Sequence, residues 1–158
     1  MSLILFFGNK DPQYGLLSNF AQCPFISTAG PVYTSEQLFM MFKAQHFGDK
    51  EAFEELKTVT EPKTAKAIGR RVKRFSDAEW DRVRYQYMCK ALMEKFSCNS
   101  AARAVLMSTN NALLAEASPF DTIWGIGYGK SNPLASTGPW RGQNLLGKAL
   151  MVVREQLR

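Results

Sequence analysis

The chain has 158 residues, enough for a single core, with 46% hydrophobic and 22% charged residues, a mixture that excludes a disordered chain. Lys and Arg number 20 against 14 Asp and Glu, a net charge of +6, which favours an anionic partner, either a phosphorylated small molecule or nucleic acid. A single histidine, His46, excludes a histidine-rich metal site and any Ser-His-Asp chemistry not built on that residue.

No apolar run approaches the roughly 20 residues of a membrane helix, so no membrane partner is expected. The start, Met1 to Phe7, lacks a basic region and a small-residue cleavage site. It reads as a first strand over 3–7, not as a signal peptide. Three scattered cysteines, Cys23, Cys89 and Cys98, with no CxxC spacing, point to a reducing cytoplasm. A second short strand is expected near Cys23–Ser27, with a turn at Ala29-Gly30-Pro31. Thr34-Ser35-Glu36-Gln37 has the capping-box form and opens a helix that Gly48 ends. Asp49 is placed to cap a short helix holding Ala52, Phe53 and Leu56.

Pro62 suits the first position of another helix, capped by Thr60 or Glu61 and ended by Gly69. Ser76-Asp77-Ala78-Glu79 is a second capping box, opening the longest helix, in which Trp80, Val83, Tyr87, Met88, Ala91, Leu92 and Phe96 recur at helical steps. Asn99 or Ser100 begins a helix through Met107, and Leu113–Ala117 reads as a strand. From Ser118 to Arg141 the density of Gly, Pro, Ser and Asn predicts a long functional loop. Asn144 then caps a last helix with Leu146, Leu150, Val153 and Leu157 on one face. The fold class is a predominantly helical α+β single domain with a few short strands, and the absence of strict strand–helix alternation argues against a doubly wound sheet.

Three segments can carry chemistry. Glu36 and Lys43 lie seven residues apart on one helical face, within roughly 20°, while Leu38, Phe39 and Phe42 are expected to leave that face for the core. In a first helical turn the dipole favours an ionised Glu36, and an exposed acid and base on a solvated face is the competing reading. Asp121 and Trp124, followed by glycines at 125, 127 and 129, combine an acid with a flat aromatic on a chain expected to be loose. The alternative is an Asx-turn with a tryptophan plugging the core. Gly142-Gln143-Asn144-Leu145-Leu146-Gly147 sets small residues at a helix start, where free N–H groups attract phosphate, although Gly147 can equally serve close helix packing. The run Arg70, Arg71, Lys73, Arg74 is either a pyrophosphate holder or a surface charge run.

Taken in order, Leu17-Ser18-Asn19-Phe20, Tyr33 to Met40 with Lys43-Ala44, Ala65 to Arg70, Trp80 with Met88, Lys95-Phe96, Leu113–Glu116, Trp124-Gly125-Ile126-Gly127, Gly142 to Gly147 and Leu150 to Arg154 resemble the YbiA-like, or NADAR (NAD and ADP-ribose), superfamily over nearly the whole chain. The resemblance implies a mostly helical α+β fold and an N-glycosidase that needs no metal or cofactor. Its substrate would be a phosphorylated ribosyl compound, such as a riboflavin-pathway ribosylamino-pyrimidine phosphate or ADP-ribose attached to guanine. Nucleic acid would enter only as an ADP-ribosylated substrate. By the family pattern Glu36, Trp80, Asp121 and Trp124 form the active centre, with Glu36 and Asp121 catalytic, and Asn19, Lys43 and Asn144 as further substrate contacts. The segment Gly129–Pro139 is longer than the family pattern expects, which bears on substrate preference. Two other classes compete: a non-catalytic ADP-ribose or nucleotide binder, and a basic nucleic-acid binder, for which only positions 70–74 come near the needed clustering.

Overall fold

The computed structural model describes Ser2–Arg158. Its elements are β1 (Leu3–Phe6), β2 (Phe25–Ser27), β3 (Gly30–Val32), α1 (Ser35–His46), α2 (Lys50–Leu56), α3 (Pro62–Gly69), α4 (Asp77–Cys98), α5 (Ser100–Ser108), β4 (Leu113–Glu116), α6 (Pro133–Thr137) and α7 (Leu145–Gln156). The class is the expected helix-dominated α+β. Among the described residues no helix is long and apolar enough to cross a membrane.

Local capping chemistry sets most helix starts. The Thr34 hydroxyl accepts from Gln37 N–H at 3.1 Å, and the Gln37 side chain reaches back to Tyr33 N–H at 2.7 Å. Ser76 accepts from Glu79 N–H at 3.3 Å, Asp49 from Ala52 N–H at 3.0 Å, and Asn99 from Ala102 N–H at 3.0 Å. The bonds to Gln37, Glu79, Ala52 and Ala102 each satisfy a donor that the first helical turn leaves free. Before α3 the Glu61 side chain makes no such bond, and Pro62 at the helix start removes one free donor instead.

Helix α1 is the centre of the molecule. It packs on α2, α3 and α4, and α4 in turn on α7. Leu38, Met41, Phe42 and Ala44 are buried with Phe96, Leu92, Met88, Leu150 and Val153. Strands β1 and β4 pair in parallel, Leu3 with Leu113 through Phe6 with Glu116, and α7 packs against β4. Gly147 permits that approach, since a Cβ there would meet Leu114 O at 2.1 Å.

Three readings of the sequence need correction. The turn expected at Ala29-Gly30-Pro31 lies earlier, at Thr28-Ala29, and Gly30–Val32 forms an antiparallel partner for β2. The Ser118–Arg141 segment contains a helix, α6, capped by the Asn132 side chain on Leu134 N–H at 2.9 Å with Pro133 at its start. Nor is that segment loose. Backbone bonds from Gly142 to Ile126, Gln143 to Thr122, Asn144 to Gly125, Leu145 to Ile123 and Leu146 to Trp124 lace its two ends together.

Candidate active site

The C-terminal ends of β1 and β4, the first turns of α1 and one face of α3 enclose two adjoining chambers. The inner chamber, of about 220 Å³, is lined by Asn19, Glu36, Phe39, Met40, Lys43, Arg70, Trp80 and Trp124 among others. The outer one, of about 550 Å³, is lined by Phe7, Asn9, Ser118, Phe120, Thr122 and Ile123 among others. Ser18, Phe20, Lys66, Glu116 and Asp121 line both, so they form the waist between them.

Glu36 is buried, with 8% of its surface exposed. Loss of hydration is the dominant influence and pushes its carboxyl up to about 7; Asp121 adds to the rise, while Lys66, Lys43 and Arg70 oppose it. The readily ionised Glu36 that a first helical turn would favour is thus corrected by burial, and so is the competing reading of an exposed acid on a solvated face. Lys43 lies on the same face, and burial moves its ammonium down from the ordinary lysine value, against the pull of Glu36 and Asp77. Its Nζ stands 4.6 Å from the Phe75 ring centre and 5.5 Å from that of Trp80. Phe39 packs in the core as expected and, three residues from Glu36, also joins the pocket wall.

Phe39 also organises the aromatics. Trp80 lies 5.3 Å from it in a tilted arrangement, and Trp124 meets it edge-on at 5.3 Å. Trp80 is otherwise buried against Tyr87 and Phe47. Both tryptophans therefore pack against the core and present a surface to the pocket.

Asp121 forms the Asx-turn named as its alternative reading, its Oδ1 accepting from Ile123 N–H at 2.9 Å and Trp124 N–H at 2.8 Å. The same residue lines both chambers. Asn19 is buried and oriented, its Oδ1 accepting from the Ser35 hydroxyl at 2.7 Å and its Nδ2 directed at Met88 Sδ at 3.4 Å.

Asn144 is the outlier. Its backbone is left-handed, φ 54°, and its side chain caps no helix. Instead Nδ2 donates to Leu114 O at 2.9 Å, and Oδ1 accepts from Glu116 N–H at 3.1 Å. Both polar groups are occupied with β4, and the residue lines neither chamber. The helix cap expected from the sequence is replaced by a clamp on β4.

The structure adds Glu116, Lys66 and Arg70, none of which the sequence reading picked out individually as a site residue. Glu116 is driven up to about 8, first by desolvation, then by Asp121 and Glu36, with Lys66 opposing. Of the basic run only Arg70 reaches the pocket. Arg71 pairs with Glu55 at 3.8 Å, Lys73 with Glu51 at 3.5 Å, and Arg74 donates to the carbonyls of Phe47 and Gly48. His46 is engaged with Tyr87 and Glu79 at 2.8 and 3.2 Å. The three cysteines are unpaired, and no three His, Cys, Asp or Glu side chains among the described residues group as a metal site would require.

Acid groups, cations and aromatics thus gather around two chambers in a mostly helical α+β frame. The chain belongs to the NADAR domain family, whose model matches residues 5–158. It is similar to N-glycosidase YbiA of Escherichia coli (strain K12), 35% identical over 156 residues, 99% of this chain and 89% of that protein. It also resembles N-glycosidase R617 of Acanthamoeba polyphaga mimivirus, 36% identical over 124 residues, 78% of this chain and 73% of the other. The NMR structure of E. coli YbiA superposes with a TM-score of 0.79 at 36% identity, covering 99% of this chain and 84% of that one.

Proposed function

We propose that this protein hydrolyses the N-glycosidic bond of a phosphorylated ribosyl compound, with the ribosyl phosphate in the inner chamber and the scissile bond at the waist. The observation that carries the reading is the meeting of Asp121, Glu116 and Lys66 at the waist with Glu36, Lys43 and Arg70 of the inner chamber.

Departure of a base from C1′ builds oxocarbenium character on the sugar, which a carboxylate stabilises more strongly in a site partly shielded from water. Water then attacks C1′, and a second carboxylate takes its proton. Glu36 and Asp121 are assigned these two tasks jointly. Lys43, Lys66 and Arg70 hold the phosphate, Arg70 offering a planar fork that suits its oxygens. Asn19 addresses ribose hydroxyls, and Trp80 and Trp124 give the sugar a flat wall.

The size of the inner chamber, about 220 Å³, bears on the substrate. It falls below the roughly 300–1,000 Å³ of pockets that enclose drug-sized ligands, and suits one pentose phosphate better than a whole dinucleotide. A ribosylamino-pyrimidine phosphate is therefore preferred over ADP-ribose attached to guanine, whose adenylate would extend outside. Incubation with both compounds, followed by mass spectrometry of free base and sugar phosphate, tests this. Release of a base and ribose phosphate from the first is expected. Absence of cleavage in either would refute the activity, and faster cleavage of the second would reverse the preference.

A further inference from the structure

Two features of the waist and the outer chamber are not used by the chemistry above. Glu116 Oε2 is buried and has no hydrogen-bond partner in the protein. Its backbone, by contrast, is held firmly: the N–H donates to Asn144 Oδ1 at 3.1 Å, and the carbonyl accepts from Ser118 N–H and Ile126 N–H, each at 2.9 Å. A fixed carboxyl group with a free buried oxygen is set to meet a ligand atom. The second feature is Phe120, 93% exposed, which with Phe7, 49% exposed, lines the outer chamber. Folding gives little reason for a phenyl ring to stand in water at that position. A flat ligand sliding between such groups gives one, and Asn9, Ser118 and Thr122 supply polar groups for its edge.

Resting on the N-glycosidase reading, we propose that the outer chamber is the subsite of the departing base, a planar amino-bearing heterocycle held by Phe120 and Phe7, and that Glu116 is the catalytic acid protonating it. As the C1′–N bond breaks, its electron pair moves to the base nitrogen, which receives the proton from the Glu116 carboxyl. Water adds to C1′ and gives a proton to the Glu36–Asp121 pair, from which solvent exchange returns one to Glu116. The net change is addition of one water across the bond. Burial and the neighbouring Asp121 and Glu36 keep Glu116 protonated at neutral pH, against the opposing charge of Lys66.

The test compares substrates that need the proton with one that does not. A ribosylamino-pyrimidine phosphate leaves as an amine and requires protonation. Nicotinamide ribose phosphate already carries a cationic ring and leaves as a neutral pyridine. Glu116→Gln, whose backbone ties are unchanged, is expected to slow the first at least 100-fold and to stay within about threefold of wild type on the second. Equal loss on both would overturn the acid role. If wild type leaves the nicotinamide compound intact, the pH profile decides: the alkaline fall in kcat/KM on the pyrimidine compound must disappear in Glu116→Gln, and its persistence overturns the role. Phe120→Ser should raise KM for the pyrimidine compound about tenfold without altering inhibition by ribose 5-phosphate, and an unchanged KM would overturn the subsite. If wild type cleaves no N-glycoside, the activity itself is refuted and the proposed acid role with it. NMR titration with 2,4,6-triaminopyrimidine still reads the subsite: binding to wild type and not to Phe120→Ser upholds it, and no difference overturns it.

Discussion

Replacing Glu36 by Gln should sharply lower turnover and stabilise the fold, by an amount that depends on pH. The folded-state carboxyl stands at about 7 against an ordinary 4.5. A group raised on folding contributes fully at pH below its unfolded value, and stability is lost as pH climbs through the folded one. At 1.36 kcal/mol per unit, the interval from 4.5 to about 7 corresponds to roughly 3 kcal/mol of destabilisation once Glu36 is ionised in both states. Gln removes that charge but keeps a buried polar group with its own cost. Comparing two pH values cancels the latter. Between about pH 4.5 and pH 9 the advantage of Glu36→Gln over wild type should grow by about 2–3 kcal/mol, or roughly 5–10 °C in Tm for a chain of this length. Thermal melts of both proteins across that range, beside turnover at neutral pH, form the assay. Turnover should fall by about two orders of magnitude or more. A Tm difference that stays flat with pH, or turnover near wild type, would refute the reasoning.

Asp121→Asn keeps the Oδ1 acceptor of the Asx-turn while losing the charge, so kcat should drop about 100-fold with KM and Tm little changed; Asp121→Ala should also lower Tm. Trp124→Ala should weaken substrate binding several-fold through loss of the wall behind the sugar, and lower Tm as well, because the ring packs on Phe39; a binding curve beside a melt separates the two losses. Lys66→Met and Arg70→Met should each weaken binding of the phosphorylated substrate about tenfold and flatten its salt dependence, with no effect on a dephosphorylated analogue. Asn144→Ala should lower stability by about 2–3 kcal/mol through two lost bonds to the β4 backbone, readable in denaturant midpoints.

The legibility of this molecule follows the range of the interactions involved. Thr34, Asp49, Ser76 and Asn99 cap helices through bonds to a residue three positions on, so each start could be read from a short window. The same local chemistry was present at Asn132-Pro133, but the surrounding Gly, Ser and Pro concealed a five-residue helix. Glu36 and Lys43 were recoverable because a helical repeat places them on one face. Lys66 on α3 and Arg70 at its C-terminal cap sit one turn apart and offered the same signal, yet only packing of α3 on α1 brings them to Glu36. Glu116 is the clearest loss. An acid at the end of a short apolar strand reads as a strand boundary, and its meeting with Glu36 and Asp121 spans most of the chain.

Strand β4 shows how the fold aims this acid. Side chains alternate along a strand, so Glu116 shares a face with Leu114, which is fully buried in the main core, while Ala115 faces the smaller cluster with Ile126 and Ala135. Glu116 therefore continues the line of the core to the point where the core ends and the waist begins. A slip of one residue would turn the carboxyl away and present Ala115 or Ala117 there. Two devices oppose the slip: the parallel pairing that sets Phe6 opposite Glu116, and Asn144, which holds Leu114 O and Glu116 N–H with one side chain. The left-handed backbone of Asn144 is what lets that side chain reach both groups just ahead of α7, with Gly147 clearing the space that a Cβ would fill. The Gly142–Gly147 segment, for which the sequence offered either a phosphate cradle or close packing at Gly147, packs closely on β4 there, meets the inner chamber at Leu146 and fixes where Glu116 stands through Asn144.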